Sequence, residues 1–219
     1  MVPVGSKNVR SRGKLRGSKD AWPIIWDRLL SDRGGSVLDA GAGEHKWSAP
    51  GWSVLGCDNY EKYVGQKREI PEGVVNVDLN AEPWPFEDNQ FDGVIAADVI
   101  EHLENIWLFF REATRVSKQF VIVTTPNTTS KVSKALFERY GRFWGFTASG
   151  VRESNHITPV FPWQVALAAG RAGWRVDRRE FINTPYYNLP DCPDIMPVIN
   201  KQPGRRGIII RLASPSAEF

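Results

Sequence analysis

Three aspartates stand at the ends of successive apolar runs in this sequence: Asp39, Asp58 and Asp78, spaced 19 and 20 residues apart. A carboxylate at the second position can accept both hydroxyls of a ribose. One at the third can accept from an adenine amino group while the neighbouring Leu79 covers the ring. Acids at all three places suit a ligand with a cationic amino acid at one end and adenosine at the other. Each aspartate alone has a plainer use as a helix cap or turn residue, and it is their common register that favours the ligand. Between the first two lies the turn Gly41-Ala42-Gly43, where glycine lets the backbone come close to a ligand. A dinucleotide-binding turn needs a further glycine at position 46; Lys46 stands there and Pro50-Gly51 follow soon after, which disfavours a pyrophosphate-binding helix and a nicotinamide oxidoreductase.

A second constellation is Asp98-Val-Ile-Glu101-His102. An imidazole titrates near neutrality, so His102 can serve as a general base toward a hydroxyl. The plainer reading puts Glu101 in a first helical turn, where a negative charge is favoured, with His102 only packing. Further on, Phe143, Trp144, Phe146, His156 and Phe161 form an aromatic group that can line an acceptor pocket, although such groups also serve as core.

The elements that must position these residues alternate in type. Short apolar strands are expected at 36–40, 53–57, 73–77, 91–97 and 119–125, with near-continuous hydrophobicity that points to a parallel sheet covered on both faces. An opening helix is expected from Asp20 to about Leu30, with Trp22, Ile25, Trp26 and Leu29 at helical spacing. An amphipathic helix over 101–117 carries Leu103, Trp107, Phe110, Ala113 and Val116 on one side. Further helices are expected at 130–140 and from Pro162, and late strands near 174–182 and 206–212. This alternation predicts a doubly wound α/β fold in one domain over residues 20–219. Residues 1–19 hold six cations and no acid among glycines and read as a flexible basic arm. Residues 183–205 read as a long loop.

Composition bounds the function from outside. The chain has 219 residues, 42% of them hydrophobic and 24% charged, and a formal net charge of +3, too small to argue for nucleic acid by itself. Cys57 and Cys192 are too few for a disulfide framework or a structural zinc site. There is neither a signal core nor a membrane span, so the cytoplasm is the expected compartment.

Taken together, Val37-Leu-Asp-Ala-Gly-Ala-Gly43, Gly56-Cys-Asp58, Val77-Asp-Leu-Asn80 and Phe91 to Leu103 resemble the class I S-adenosylmethionine-dependent methyltransferases, over residues 34–182. The resemblance implies a Rossmann-like, mostly parallel seven-stranded sheet whose last two strands form an antiparallel pair. It sets Asp39, Gly41 and Gly43 against the methionine part of the cofactor, Asp58 on the ribose, Asp78 and Leu79 on the adenine, and Asp98 on the floor near the sulfonium. The chain departs from the pattern at His45, where a third glycine is common, and in a very short first crossover helix. The segment from Thr125-Pro-Asn127 to Asn155-His-Ile-Thr-Pro-Val-Phe-Pro-Trp163 resembles a bacterial group acting on small molecules, glycans or lipids, in which residues of about 127–162 cover the acceptor. Ubiquinone-type O-methyltransferases and small-RNA 3′-end 2′-O-methyltransferases carry a similar acid-x-x-Glu-His segment that holds a divalent cation. A metal on Asp98, Glu101, His102 and His156 is the lesser reading, because Asp98 is one methylene shorter than the usual glutamate. The expected reaction is methylation of a hydroxyl with Glu101, His102 and His156 as catalytic groups and no metal. The rival readings are an RNA 2′-O-methyltransferase using the basic arm and a non-catalytic module that keeps the cofactor fold.

Overall fold

A computed structural model describes residues 21–30, 33–43, 48–59, 70–143, 145–146, 156–182 and 207–217. The basic arm, Lys46, Trp144, Asn155 and the 183–205 loop lie outside these residues. Seven strands, β1 (Gly35–Ala40), β2 (Trp52–Asp58), β3 (Val74–Asn76), β4 (Phe91–Ala97), β5 (Ser117–Pro126), β6 (Arg175–Ile182) and β7 (Gly207–Ala213), form one sheet in the order β3-β2-β1-β4-β5-β7-β6. The first five pair in parallel, and β7 runs antiparallel between β5 and β6. The α/β class, the strand count and the antiparallel ending are those expected. No helix among the described residues is long and apolar enough to cross a membrane.

Period-two alternation along the central strands feeds two separate cores. Leu38, Val94, Ala96, Val121, Val123, Ile208 and Ile210 face one side, with α2 (Ile106–Val116) and α4 (Pro162–Arg171) packed over them. Val37, Ile95, Phe120, Ile122 and Ile209 face the other side, covered by the opening helix. That helix is α1 (Ala21–Ile24), continued as a π-helical turn over Ile25–Leu29. Its Trp22 stacks on Trp26, Trp26 meets Trp52 of β2, and Trp52 meets Phe120 edge-on with ring centroids 5.9 Å apart. In the connection from β1 to β2 no helix occurs among the described residues, and indole rings cover part of this face. Arg211 of β7 fixes this layer by donating to the Leu29 carbonyl at 2.8 Å while it pairs with Asp177.

The expected helix over 101–117 divides. Ile100–His102 make one 3-10 turn, Leu103 to Asn105 are not helical, and α2 begins at Ile106 with the Asn105 side chain capping the Leu108 N–H at 3.0 Å. Leu103 is buried beside the helix rather than on it, and Trp107 is only half-buried, with the Arg171 guanidinium 5.1 Å from its ring centroid. The break has a tertiary cause: the Glu101 carbonyl accepts from the Ile157 and Thr158 N–H groups at 2.9 and 3.0 Å, so it is unavailable to a helix. The remaining helix, α3 (Lys131–Tyr140), is capped by Ser130 and ends at Gly141 in the left-handed conformation, with φ 67°.

Gly93 lies opposite Phe120 on neighbouring strands, and a Cβ built there would fall 2.1 Å from the Phe120 ring. Replacing Gly93 with alanine is expected to cost about 1–3 kcal/mol of stability by overpacking, read as a lowered denaturation midpoint with an unchanged slope.

Candidate active site

Strand order reverses between β1 and β4, and the crevice beyond the carboxyl ends at such a switch point is where open α/β sheets bind ligands. Asp39 near the end of β1, Asp58 at the end of β2 and Asp98 just past β4 all reach this edge. Asp58 Oδ2 accepts from the Gly43 N–H at 2.7 Å and Oδ1 from the Asn59 N–H at 2.7 Å. Each oxygen keeps a second acceptor direction. Asp39 is fully buried, and its Oδ2 has no hydrogen-bond partner among the described residues. Burial and then the charge of Asp58 hold the Asp39 carboxyl well above its ordinary range. Burial also raises Asp58, against the opposing pull of the two N–H groups.

The two glycines of the turn differ in what requires them. At Gly41, φ is 81° and a Cβ would meet the Val99 side chain at 2.4 Å, so packing already demands glycine. At Gly43, φ is 55° and a Cβ would meet nothing within 4 Å, which leaves open space above the turn. Asp78 shapes its own loop by accepting from the Asn80 N–H at 3.0 Å. Leu79 is buried in the main core.

Asp98 has φ 56°, a left-handed conformation uncommon for a residue with a side chain. Thr124 holds it there: its Oγ1 accepts from the Asp98 N–H at 2.9 Å and donates to Asp98 Oδ1 at 2.8 Å. Glu101, His102 and His156 come together beside it, their ligand atoms all within 4.8 Å of one another. Glu101 is 1% exposed, and neither carboxylate oxygen makes a well-formed hydrogen bond among the described residues, its own N–H and the Thr125 hydroxyl standing only near enough to draw its pKa down; His156 Nε2 lies 3.9 Å from Oε1. Burial, and then the charge of Asp98, hold this carboxyl well above its ordinary range. The His102 and His156 rings meet edge-on at 4.9 Å, His156 meets Phe146 at 5.3 Å, and Phe146 and Phe161 both meet Phe143. The four described aromatic candidates are thus linked in one chain of rings, Phe161 to Phe143 to Phe146 to His156, which continues to His102. Thr124, Thr158 and Asn80 were not singled out from sequence. Their roles depend on partners distant in the chain; Thr158 and Asn80 fall inside quoted motifs, and Thr124 had no motif to announce it.

Residues 38–122 match the family model of a methyltransferase domain. This match, over less than half of the chain, supports an enzyme whose methyl donor is S-adenosylmethionine. The match runs from β1 into β5 and includes Asp39, Asp58, Asp78, Asp98 and the Glu101-His102 pair, but not His156. Among solved structures, a S-adenosylmethionine-dependent methyltransferase of Archaeoglobus fulgidus is 19% identical with TM-score 0.54, covering 89% of this chain and 92% of its own. One from Methanosarcina mazei is 15% identical with TM-score 0.57, over 88% of this chain and 97% of its own. Magnesium protoporphyrin IX methyltransferase of Synechocystis PCC 6803, solved with bound S-adenosylhomocysteine, is 18% identical with TM-score 0.53, over 89% and 80%. At these identities the likeness is one of fold. No curated protein matches the sequence.

The buried acids make a prediction about the methyltransferase without ligand. A carboxyl whose folded pKa is raised stabilises the fold below its unfolded value, here 3.8, and loses that contribution as pH rises through the folded value. Asp39→Asn is therefore expected to raise Tm at neutral pH, by the equivalent of about 1.4 kcal/mol for each pKa unit relieved. The advantage over wild type should shrink as pH falls toward 3.8, which thermal scans across pH would read directly.

Proposed function

We propose that this methyltransferase moves the methyl group of S-adenosylmethionine to a hydroxyl oxygen of a small-molecule, glycan or lipid-type acceptor. The observation that carries the hydroxyl is the buried Glu101 carboxylate facing two imidazoles with both oxygens unpartnered among the described residues. A hydroxyl is a poor nucleophile until its proton is taken, whereas an amine lone pair needs no such base.

The residues present fit the donor. Asp58 retains acceptor capacity for ribose hydroxyls, the space above Gly43 is open, and the orphaned Asp39 oxygen favours a cationic ligand nearby. Bound there, S-adenosylmethionine supplies a methyl group already activated by the sulfonium. The protein's task is then alignment and proton removal. His102 accepts the acceptor's proton, and Glu101 and His156 set the orientation and charge of that imidazole. Phe143, Phe146 and Phe161, half-buried and joined through Phe143, shield the acceptor from water on the side of the histidine pair.

The same geometry favours a second form of this reading. An unpartnered buried carboxylate with two imidazoles is a donor set for Mg²⁺, Mn²⁺ or Zn²⁺. Glu101, His102 and His156 would hold the ion, with Asp98 adjacent. Such an ion lowers the pKa of a bound hydroxyl, so less basicity is asked of an imidazole. The RNA reading rests on residues 1–19, outside the described ones, and an acceptor ribose 2′-hydroxyl would meet the same groups.

Calorimetric titration should give micromolar binding of S-adenosylmethionine and S-adenosylhomocysteine, weakened on the order of 10–100-fold by Asp58→Ala, as expected for loss of charge-assisted hydrogen bonds. No binding by folded wild type would overturn the reading. Titration with MnCl₂ separates the two forms. Binding that Glu101→Gln and His156→Ala each abolish establishes the ion, and activity that survives exhaustive chelation establishes the imidazole base.

A further inference from the structure

The loop that carries Asp78 and the segment that carries His156 share no strand or helix, yet both are fastened to one short turn. That turn is residues 100–105, the 3-10 turn and break that precede α2. On one side, Asn80 Oδ1 accepts from the Glu104 N–H at 2.8 Å and the Asn105 N–H at 3.3 Å. The Asn80 N–H in turn donates to Asp78 Oδ1 at 3.0 Å. On the other side, the Glu101 carbonyl accepts from the Ile157 and Thr158 N–H groups, and the Thr158 hydroxyl donates to the Leu103 carbonyl. Glu101 and His102 lie in the middle of the turn, gripped from both sides.

We propose that Asn80 is a positioning residue that couples occupancy of the cofactor crevice to the placement of His156 against Glu101 and His102. The inference rests on the cofactor reading given above. The Asp78 loop, once held by the adenosine end of the cofactor, restrains Asn80. Through the two N–H groups that it caps, Asn80 restrains the turn at residues 104 and 105. The turn presents the Glu101 and Leu103 carbonyls to Ile157 and Thr158, and so sets where His156 stands. Each link is a hydrogen bond between the backbone and a named group, so the path is physically contiguous. A cofactor that binds more tightly when the turn is well placed must, by linkage, favour the well-placed turn.

A merely local role for Asn80 predicts something different. Glu104 and Asn105 are exposed, so water can take over their N–H groups when the side chain is trimmed. Asn80→Ala is therefore expected to fold, and to keep its cofactor site, while losing the connection. Asn80→Asp keeps an acceptor oxygen at the same place and should restore it.

The experiment is amide hydrogen exchange of the full-length protein, with and without saturating S-adenosylhomocysteine, followed at peptides spanning residues 39–58 and 156–160. In wild type the ligand is expected to slow exchange in both. In Asn80→Ala, slowing at 39–58 should persist, while slowing at Ile157 and Thr158 should fall by about 5-fold or more, the lower end of ordinary coupling between sites. Asn80→Asp should recover it. Undiminished slowing at Ile157 and Thr158 in Asn80→Ala overturns the proposal. So does slowing confined to 39–58 in wild type, which leaves the cofactor reading intact. Absence of slowing in both wild-type peptides overturns the cofactor reading and the coupling with it.

Discussion

Three acids at the carboxyl edge of this sheet are kept from water, and the properties of the site follow from their burial. Central strands that bury both faces leave an acid at their ends little solvent, so Asp39, Asp58 and Glu101 are buried as deeply as the aliphatic residues around them. Desolvation is the largest influence on the ionisation of all three. A charge so placed calls for a counter-charge, a set of donors or a proton. Asp58 has two backbone donors, Asp39 has an orphaned oxygen, and Glu101 has two. The gradient from satisfied to unsatisfied runs from Asp58 at the end of β2 to Glu101 beyond β4, where incoming groups would do most to lower the energy.

The same edge shows how glycine and strain are distributed. Gly41 is dictated by Val99 and Gly43 by an open turn, so two residues that look alike in a motif answer to different neighbours. Asp98 holds a left-handed backbone with a full side chain, and Thr124 reaches from the adjoining strand to hold it. Non-glycine residues in such conformations persist where their surroundings over-determine them, often where a side chain must be aimed.

The parallel strands were legible because residues buried on both faces produce apolar runs that few other contexts produce. Their ends moved by at most two residues, as when β3 shortened to Val74–Asn76. The three acids could be read from spacing alone, since a parallel sheet brings successive strand ends to one edge. The division of the helix near residue 103 was not legible. Ile100, Leu103 and Ile106 keep a three-residue spacing through the break, so periodicity continues where the helix does not. What ends it is a pair of N–H groups more than fifty residues later in the chain. Asn80 was hidden for the opposite reason: asparagine is ordinary in a turn, and nothing in its neighbours announces that its acceptor serves another loop. The gathering of His156 with Glu101 and His102 was suggested by family likeness, and the geometry that makes it chemically interesting came only with the fold.

The indole cover over β1 and β2 has a consequence for how the chain acquires its shape. Trp22 and Trp26 lie at the start, yet the surface they rest on includes Ile209, and their layer is pinned by Arg211 to the Leu29 carbonyl across 182 residues. The covering of that face is therefore complete only when the last strand arrives. Contacts of such long sequence separation close slowly, because the intervening chain must first lose its freedom. During synthesis this face of the sheet would be closed late, after translation has passed β7.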